Sequence, residues 1–125
     1  MALRKLLCLL FCLLVMGMGL VSSQVRAEST SLPKLIDLGA DKCIPCKMMM
    51  PILDELKEQL AGQLDVEFID VWKNRDRAAE FAVQMIPTQI FYGPDGKELF
   101  RHQGFYAKED ILAKWQELGF DFDKK

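Results

Sequence analysis

Histidine is nearly absent from this chain: there is one, His102, among 125 residues. Cysteine is scarce too. Two of the four, Cys8 and Cys12, lie in an apolar run at the start, which leaves Cys43 and Cys46 for the rest. A structural zinc site takes four ligands, mostly sulfur or imidazole nitrogen. Two cysteines and one histidine do not compose one, so no metal centre and no cofactor are expected. An excess of basic charge is also missing. Lys and Arg number 16 against 18 Asp and Glu, which argues against nucleic acid as a partner, since that favours basic surfaces. There is no long hydrophobic run either. The longest apolar run, Leu6 to Val21, has 16 residues, where a membrane helix needs about 20. Internal repeats, low-complexity tracts and a second composition block are all lacking, and the length argues for one domain at most.

What the start does contain is a layout. Arg4 and Lys5 precede the apolar run, and Ser22, Ser23, Gln24 and Val25-Arg26-Ala27 follow it. A basic region, an apolar core and small residues at the cleavage positions describe a secretory leader. Residues 1–27 are expected to be that leader, cut after Ala27, with residues 28–125 as the mature domain. An uncleaved anchor through residues 6–21 is the alternative. A lipoprotein signal fits poorly, because neither Cys8 nor Cys12 follows a small residue. The expected location is periplasmic or otherwise extracytoplasmic. The leader holds Arg4, Lys5 and Arg26 and no acid, so the domain keeps 13 basic residues against 18 acidic ones, a net charge of −5.

Residues 28–34 are polar and read as a linker. Leu35-Ile36-Asp37-Leu38 is a short apolar strand bounded by Gly39. From Cys43 the period becomes helical, with Met49, Ile52, Leu53, Leu56 and Leu60 on one face. Pro51 should kink that helix and Gly62 should end it. Asp65 to Val71 reads as a strand. Asn74 is a candidate cap for a helix running through Ala82. Gln89–Tyr92 and Leu99–Gln103 form a hairpin about the Gly93-Pro94-Asp95-Gly96 turn. A last helix turns Ile111, Leu112, Trp115 and Leu118 inward and stops near Gly119. The order β-α-β-α-β-β-α begins with a parallel βαβ unit and closes with an antiparallel edge.

Cys43-Ile44-Pro45-Cys46 stands where the helical period starts. A bridge between these two cysteines would close a very short loop. It would constrain the unfolded chain little and make a poor staple. Such a pair is better explained by reactivity, as a thiol–disulfide switch.

Several features together resemble the thioredoxin family. Cys-x-Pro-Cys-Lys-Met at 43–48 resembles its active site, and Pro51-Ile52-Leu53-Asp54-Glu55 its kinked continuation. Ile86-Pro87-Thr88 matches its cis-proline loop, Asp37 falls where the family keeps a buried acid, and Gly104 follows the hairpin as the family's glycine does. The likeness covers roughly residues 34–118. It implies an α/β thioredoxin-like fold with a mixed sheet of about four strands flanked by helices. Few residues precede Cys43, so a fold shortened at its N-terminal side is expected. There are departures. Lys42 stands where the family has tryptophan, Ile44 where it has glycine, and Phe68 where it often has a lysine near the buried acid.

The resemblance implies a thiol–disulfide oxidoreductase. Only a thiolate attacks a disulfide efficiently. Cys43, at a helix N-terminus with Lys42 and Lys47 nearby, is expected to attack, and Cys46, one turn in, to resolve the mixed disulfide. Pro45 suits the first helical turn, where a missing N–H costs nothing. Asp37 is expected to take the Cys46 proton, with a pKa raised by burial that Phe68, unlike a lysine, does not oppose; Lys57 is the cation that could. Ile44, Pro45, Ile86, Pro87 and Gly104 are the expected substrate-binding residues, with an extended substrate pairing to the Ile86 backbone. The partners implied are protein disulfides and a membrane-bound electron donor, and the chain is expected to act as a monomer. Two other readings use the same cysteines: a copper(I) carrier with Met48, Met49 and Met50 as soft ligands, or a thioredoxin-like adaptor whose disulfide stays closed. Consecutive methionines point three ways on a helix, so they are expected to fill core and groove gaps. His102 is expected to be an exposed strand residue.

Overall fold

The computed structural model describes residues 31–122. The leader, its cleavage point and residues 28–30 of the linker lie outside the described residues. The elements follow the expected order: β1 (Lys34–Gly39), α1 (Ile44–Gln59), β2 (Asp65–Asp70), α2 (Arg75–Glu80), β3 (Thr88–Tyr92), β4 (Glu98–Gln103) and α3 (Lys108–Glu117). They build one four-stranded sheet in the order β2-β1-β3-β4. β1 runs parallel to β2 and antiparallel to β3, and β3 pairs antiparallel with β4.

β1 is central and buried on both faces, which is why its sequence is apolar without clean alternation. Leu35 on one face joins Val66, Phe91 and the α1 residues Met49, Leu53 and Leu56, with Ile111 and Trp115 from α3 closing that core. Phe91 lies with its ring centroid 4.8 Å from that of Trp115. Ile36 and Leu38 on the other face meet Ile69 and Ile90, with Phe81 and Val83 packed alongside. Pairing places Phe68, Asp37, Gln89 and His102 in one row across the sheet, on the face that carries Leu35 and Phe91. Asp37, Gln89 and His102 thus make a polar row next to Phe68 on an otherwise apolar core surface.

Boundaries differ from the sequence expectations in small ways with clear causes. α1 ends at Gln59 with Leu60 as its cap, and Gly62 (φ +78°) sits in the turn beyond. α2 stops at Glu80, short of Ala82, whose φ of +49° is incompatible with a right-handed helix. Asn74 precedes α2 but its side chain does not cap it; Nδ2 donates instead to the Asp70 carbonyl at 3.1 Å. Leu112 and Leu118 are half-buried, so Ile111 and Trp115 carry the inner face of α3. Pro51 lies inside α1, as the sequence indicated.

Candidate active site

Cys43 is the N-cap of α1, and Cys46 lies in its first turn. The two form a disulfide with Cα atoms 5.2 Å apart. Cys43 is half-buried while Cys46 is fully buried. The Cys46 backbone N–H points at Cys43 Sγ, 3.4 Å away. An N-cap atom receives the orphan N–H groups of the first turn and faces the positive end of the helix dipole. In the reduced protein the same position favours a thiolate on Cys43 over a thiol. Pro45 takes one of the first helical positions. Ile44 projects into solvent with 75% exposure, flanked by Lys42 and Lys47, also exposed.

The Ile86–Pro87 bond is cis, the geometry that the resemblance implied. Pro87 is buried and Ile86 half-buried. The loop is braced from both sides. Thr88 Oγ1 donates to the Met85 carbonyl at 2.6 Å, and the Gly104 N–H donates to the Pro87 carbonyl at 2.8 Å. Among the described residues, no hydrogen bond engages the N–H or C=O of Ile86. Gly104 has φ +99°, a conformation that side chains rarely adopt. Its place is therefore behind the proline loop, fixing it through the backbone.

Asp37 is fully buried. Gly39, two residues on along the same face of β1, packs against Cys46 so closely that a Cβ there would lie 3.3 Å from Sγ. Asp37 therefore belongs to the layer beneath the buried cysteine. Its Oδ1 accepts a 2.6 Å hydrogen bond from Gln89 Nε2, and Oδ2 has no hydrogen-bond partner among the described residues. Burial pushes the carboxyl up to about 6, and the Gln89 bond acts the other way. No cation among the described residues contributes. Phe68 lies opposite Asp37 on β2, and Lys57 lines a cleft with Leu64 and Asp65 instead. The sequence reading missed Gln89. A glutamine two residues before the core Phe91, on a strand otherwise built of core side chains, was the available signal.

Asp70 was missed as well. Buried at the end of β2, its carboxylate accepts from the backbone N–H groups of Asp41 (3.3 Å), Trp72 (3.0 Å) and Lys73 (3.1 Å). Lys73 also pairs with Asp41 at 2.6 Å. The loop leading into Cys43 is thereby tied to the loop leaving β2, where Trp72 stands half exposed. Beyond Trp72, a cleft of about 400 Å³ runs between α2 and the proline loop, lined by Val71, Arg75, Val83, Met85 and Ile86 among others.

His102 departs from expectation. It is half-buried, stacked on Tyr106 with ring centroids 3.9 Å apart, and its Nε2 lies 3.2 Å from the Phe105 carbonyl. The methionines split. Met49 is core, with its sulfur accepting from the Tyr106 N–H at 3.4 Å, whereas Met48 and Met50 are exposed. Among the described residues there is no group of three His, Cys, Asp or Glu side chains able to hold a metal, and no helix is long and apolar enough to cross a membrane.

Comparison with known proteins agrees with this geometry. The family model described as thioredoxin matches residues 22–117. A thioredoxin of Staphylococcus haemolyticus is 41% identical over 78 residues, covering 62% of this chain and 74% of its own. One of Staphylococcus aureus is 38% identical over the same extent. Among solved structures, chloroplastic thioredoxin z superposes with a TM-score of 0.64 at 25% identity, covering 71% of this chain and 80% of its own. A malarial protein superposes at 0.65 with 23% identity, over 70% of this chain and 97% of its own, a likeness of fold. The matched segment contains the helix-capping disulfide and the cis-proline loop alike, so the chain belongs to the thioredoxin family and is a thiol–disulfide oxidoreductase.

Proposed function

We propose that this oxidoreductase works outside the cytoplasm and reduces disulfides of exported proteins, drawing its electrons from a membrane-bound donor. The observation that carries the chemistry is the asymmetry of the pair: a half-exposed Cys43 capping the helix and a fully buried Cys46 beneath it. Cys43 thiolate attacks one sulfur of the substrate disulfide and forms a mixed disulfide. Cys46 then loses its proton to Asp37 and attacks Cys43 Sγ. The substrate leaves with both sulfurs reduced, and the protein holds the Cys43–Cys46 bridge until the donor reduces it. The unengaged N–H and C=O of Ile86 supply two hydrogen bonds for an extended substrate strand. Ile44, Pro45 and Pro87 bound that strand, with Gly104 fixing the loop from behind. The leader at residues 1–27 motivates the location, by export and cleavage or by anchoring through residues 6–21.

Cys46→Ala is expected to accumulate mixed disulfides with extracytoplasmic proteins in cells, and Cys43→Ala to accumulate none. Trapping by the Cys43 variant instead would reverse the assignment. The equilibrium potential of the pair tests direction. A value near that of cytosolic thiol reductants, around −270 mV, supports reduction, and one near −120 mV makes the protein an oxidant. Chain recovered from the periplasm is expected to begin at Glu28; an intact Met1 in the membrane fraction means an anchor.

A further inference from the structure

We propose that Gln89 is a positioning residue for proton transfer at Cys46: its amide holds the buried Asp37 carboxyl in both protonation states, so the acid can take up and return a proton where water does not reach. This rests on the reading of Asp37 as the base.

Asp37 and Gln89 face each other across the β1–β3 pairing and are both fully buried. One bond joins them, from Nε2 to Oδ1 at 2.6 Å, and the remaining atom of each group, Oδ2 and Oε1, has no hydrogen-bond partner among the described residues. A carboxylate only accepts hydrogen bonds, whereas a carboxylic acid also donates one. A base that cycles between these forms in a dry site needs a neighbour that can do both. A primary amide can, donating through Nε2 to the carboxylate and accepting through Oε1 from the acid. A lysine only donates and would hold Asp37 ionised; an apolar residue does neither, and burial would then keep the proton in place. The surroundings leave this task to Gln89. Cys46 from α1 packs over Gly39, two residues from Asp37 on the same face of β1, and Phe68 is the neighbour of Asp37 from β2. From β4 comes His102, next in line beyond Gln89 and occupied with Tyr106 and the Phe105 carbonyl. Among the described residues, no lysine or arginine acts on the carboxyl.

The step balances within these groups. The Cys46 S–H bond breaks and its proton passes to Asp37 Oδ2, the unpartnered oxygen. The electron pair left on Cys46 forms the bond to Cys43 Sγ. The bond from Cys43 to the substrate breaks, and its pair leaves on the substrate sulfur as thiolate. Asp37, now neutral, keeps a partner by donating to the amide oxygen.

The test is a titration of the Asp37 side-chain carboxyl carbon by NMR in the oxidised full chain, for the wild type, Gln89→Met and Gln89→Lys. The methionine variant should move the midpoint up from about 6 by about one pH unit, and the lysine variant should move it down by a similar amount. Shifts of opposite sign cannot come from loosened packing alone. Midpoints that stay in place, or both move the same way, overturn the proposal. If the lysine variant does not fold, an unmoved midpoint in Gln89→Met is sufficient to do so. Single-turnover release of a preformed mixed disulfide, followed against pH, separates the two layers. Its acidic limb should track the Asp37 midpoint in each variant and vanish in Asp37→Asn. A limb that ignores the midpoint overturns the base reading, and with it the part of Gln89 in catalysis.

Discussion

A carboxyl that holds its proton more tightly in the folded than in the unfolded chain favours folding at low pH and opposes it at high pH. Asp37 does so, with a pKa of about 6 against an ordinary 3.8. Its stabilising contribution is present in full below pH 3.8 and is lost as pH rises through about 6. The difference of roughly two units corresponds to about 3 kcal/mol at neutral pH and above. Asp37→Asn, a shape mimic of the neutral acid, is therefore expected to be more stable than the wild type at pH 8 by about that amount, with the gap closing on acidification to pH 4. Denaturant unfolding of the oxidised protein at the two pH values measures it; a gap that does not change with pH would mean that ionisation is not its source. Asp37 was legible through the family resemblance, which implies a buried acid at that place in the first strand. Gln89 was not. Its meaning depends on the residue opposite it, 52 positions away, and that register arises only when β1 and β3 pair.

The elements were legible because each had its own local signal: the short apolar run bounded by Gly39, the period change at Cys43, the Gly93–Gly96 turn. The short helix α2 was read too long, since its alanines carry helical propensity up to Ala82 while tertiary packing of Phe81 and Val83 turns the chain earlier. Loop bracing was not legible at all. Gly104 was named as a substrate contact by resemblance, but its visible task is the hydrogen bond to Pro87 at φ +99°. Gly104→Ala meets open space around the added carbon, so its cost is backbone strain, about 1–3 kcal/mol. Thermal unfolding is expected to report that loss, and slower attack on a model disulfide should accompany it. An unchanged melting curve would show that the loop tolerates the side chain. Gly39→Ala is a different case. Its Cβ would lie 2.9 Å from the Phe68 ring and 3.1 Å from Cys46 Cβ. Overpacking of this kind costs about 1–3 kcal/mol and should also displace Cys46, altering the reduction potential of the pair.

For the molecule as a whole, the larger of the two cores lies under the redox helix. It is closed by Trp115 with Phe91, Phe120 and Phe122 around it. Trp115→Ala is expected to cost about 3–5 kcal/mol, read as a lower denaturant midpoint at unchanged slope, while the thiol chemistry of the fraction still folded persists. Trp115 stood out in the sequence by helical spacing; that Phe120 and Phe122 would fold back onto it did not, because the chain beyond Gly119 has no period to read. Asp70 has a consequence at this same scale. By collecting N–H groups from the loop before Cys43 and the loop carrying Trp72, it links the approach to the reactive sulfur to the loop that bears the exposed Trp72 ring. A partner that touches both then meets a surface ordered in advance, and association loses less entropy than it would against two independent loops. Unhooking them with Asp70→Ala should therefore weaken encounter, raising KM for a folded protein substrate far more than for a small disulfide that needs only the sulfur.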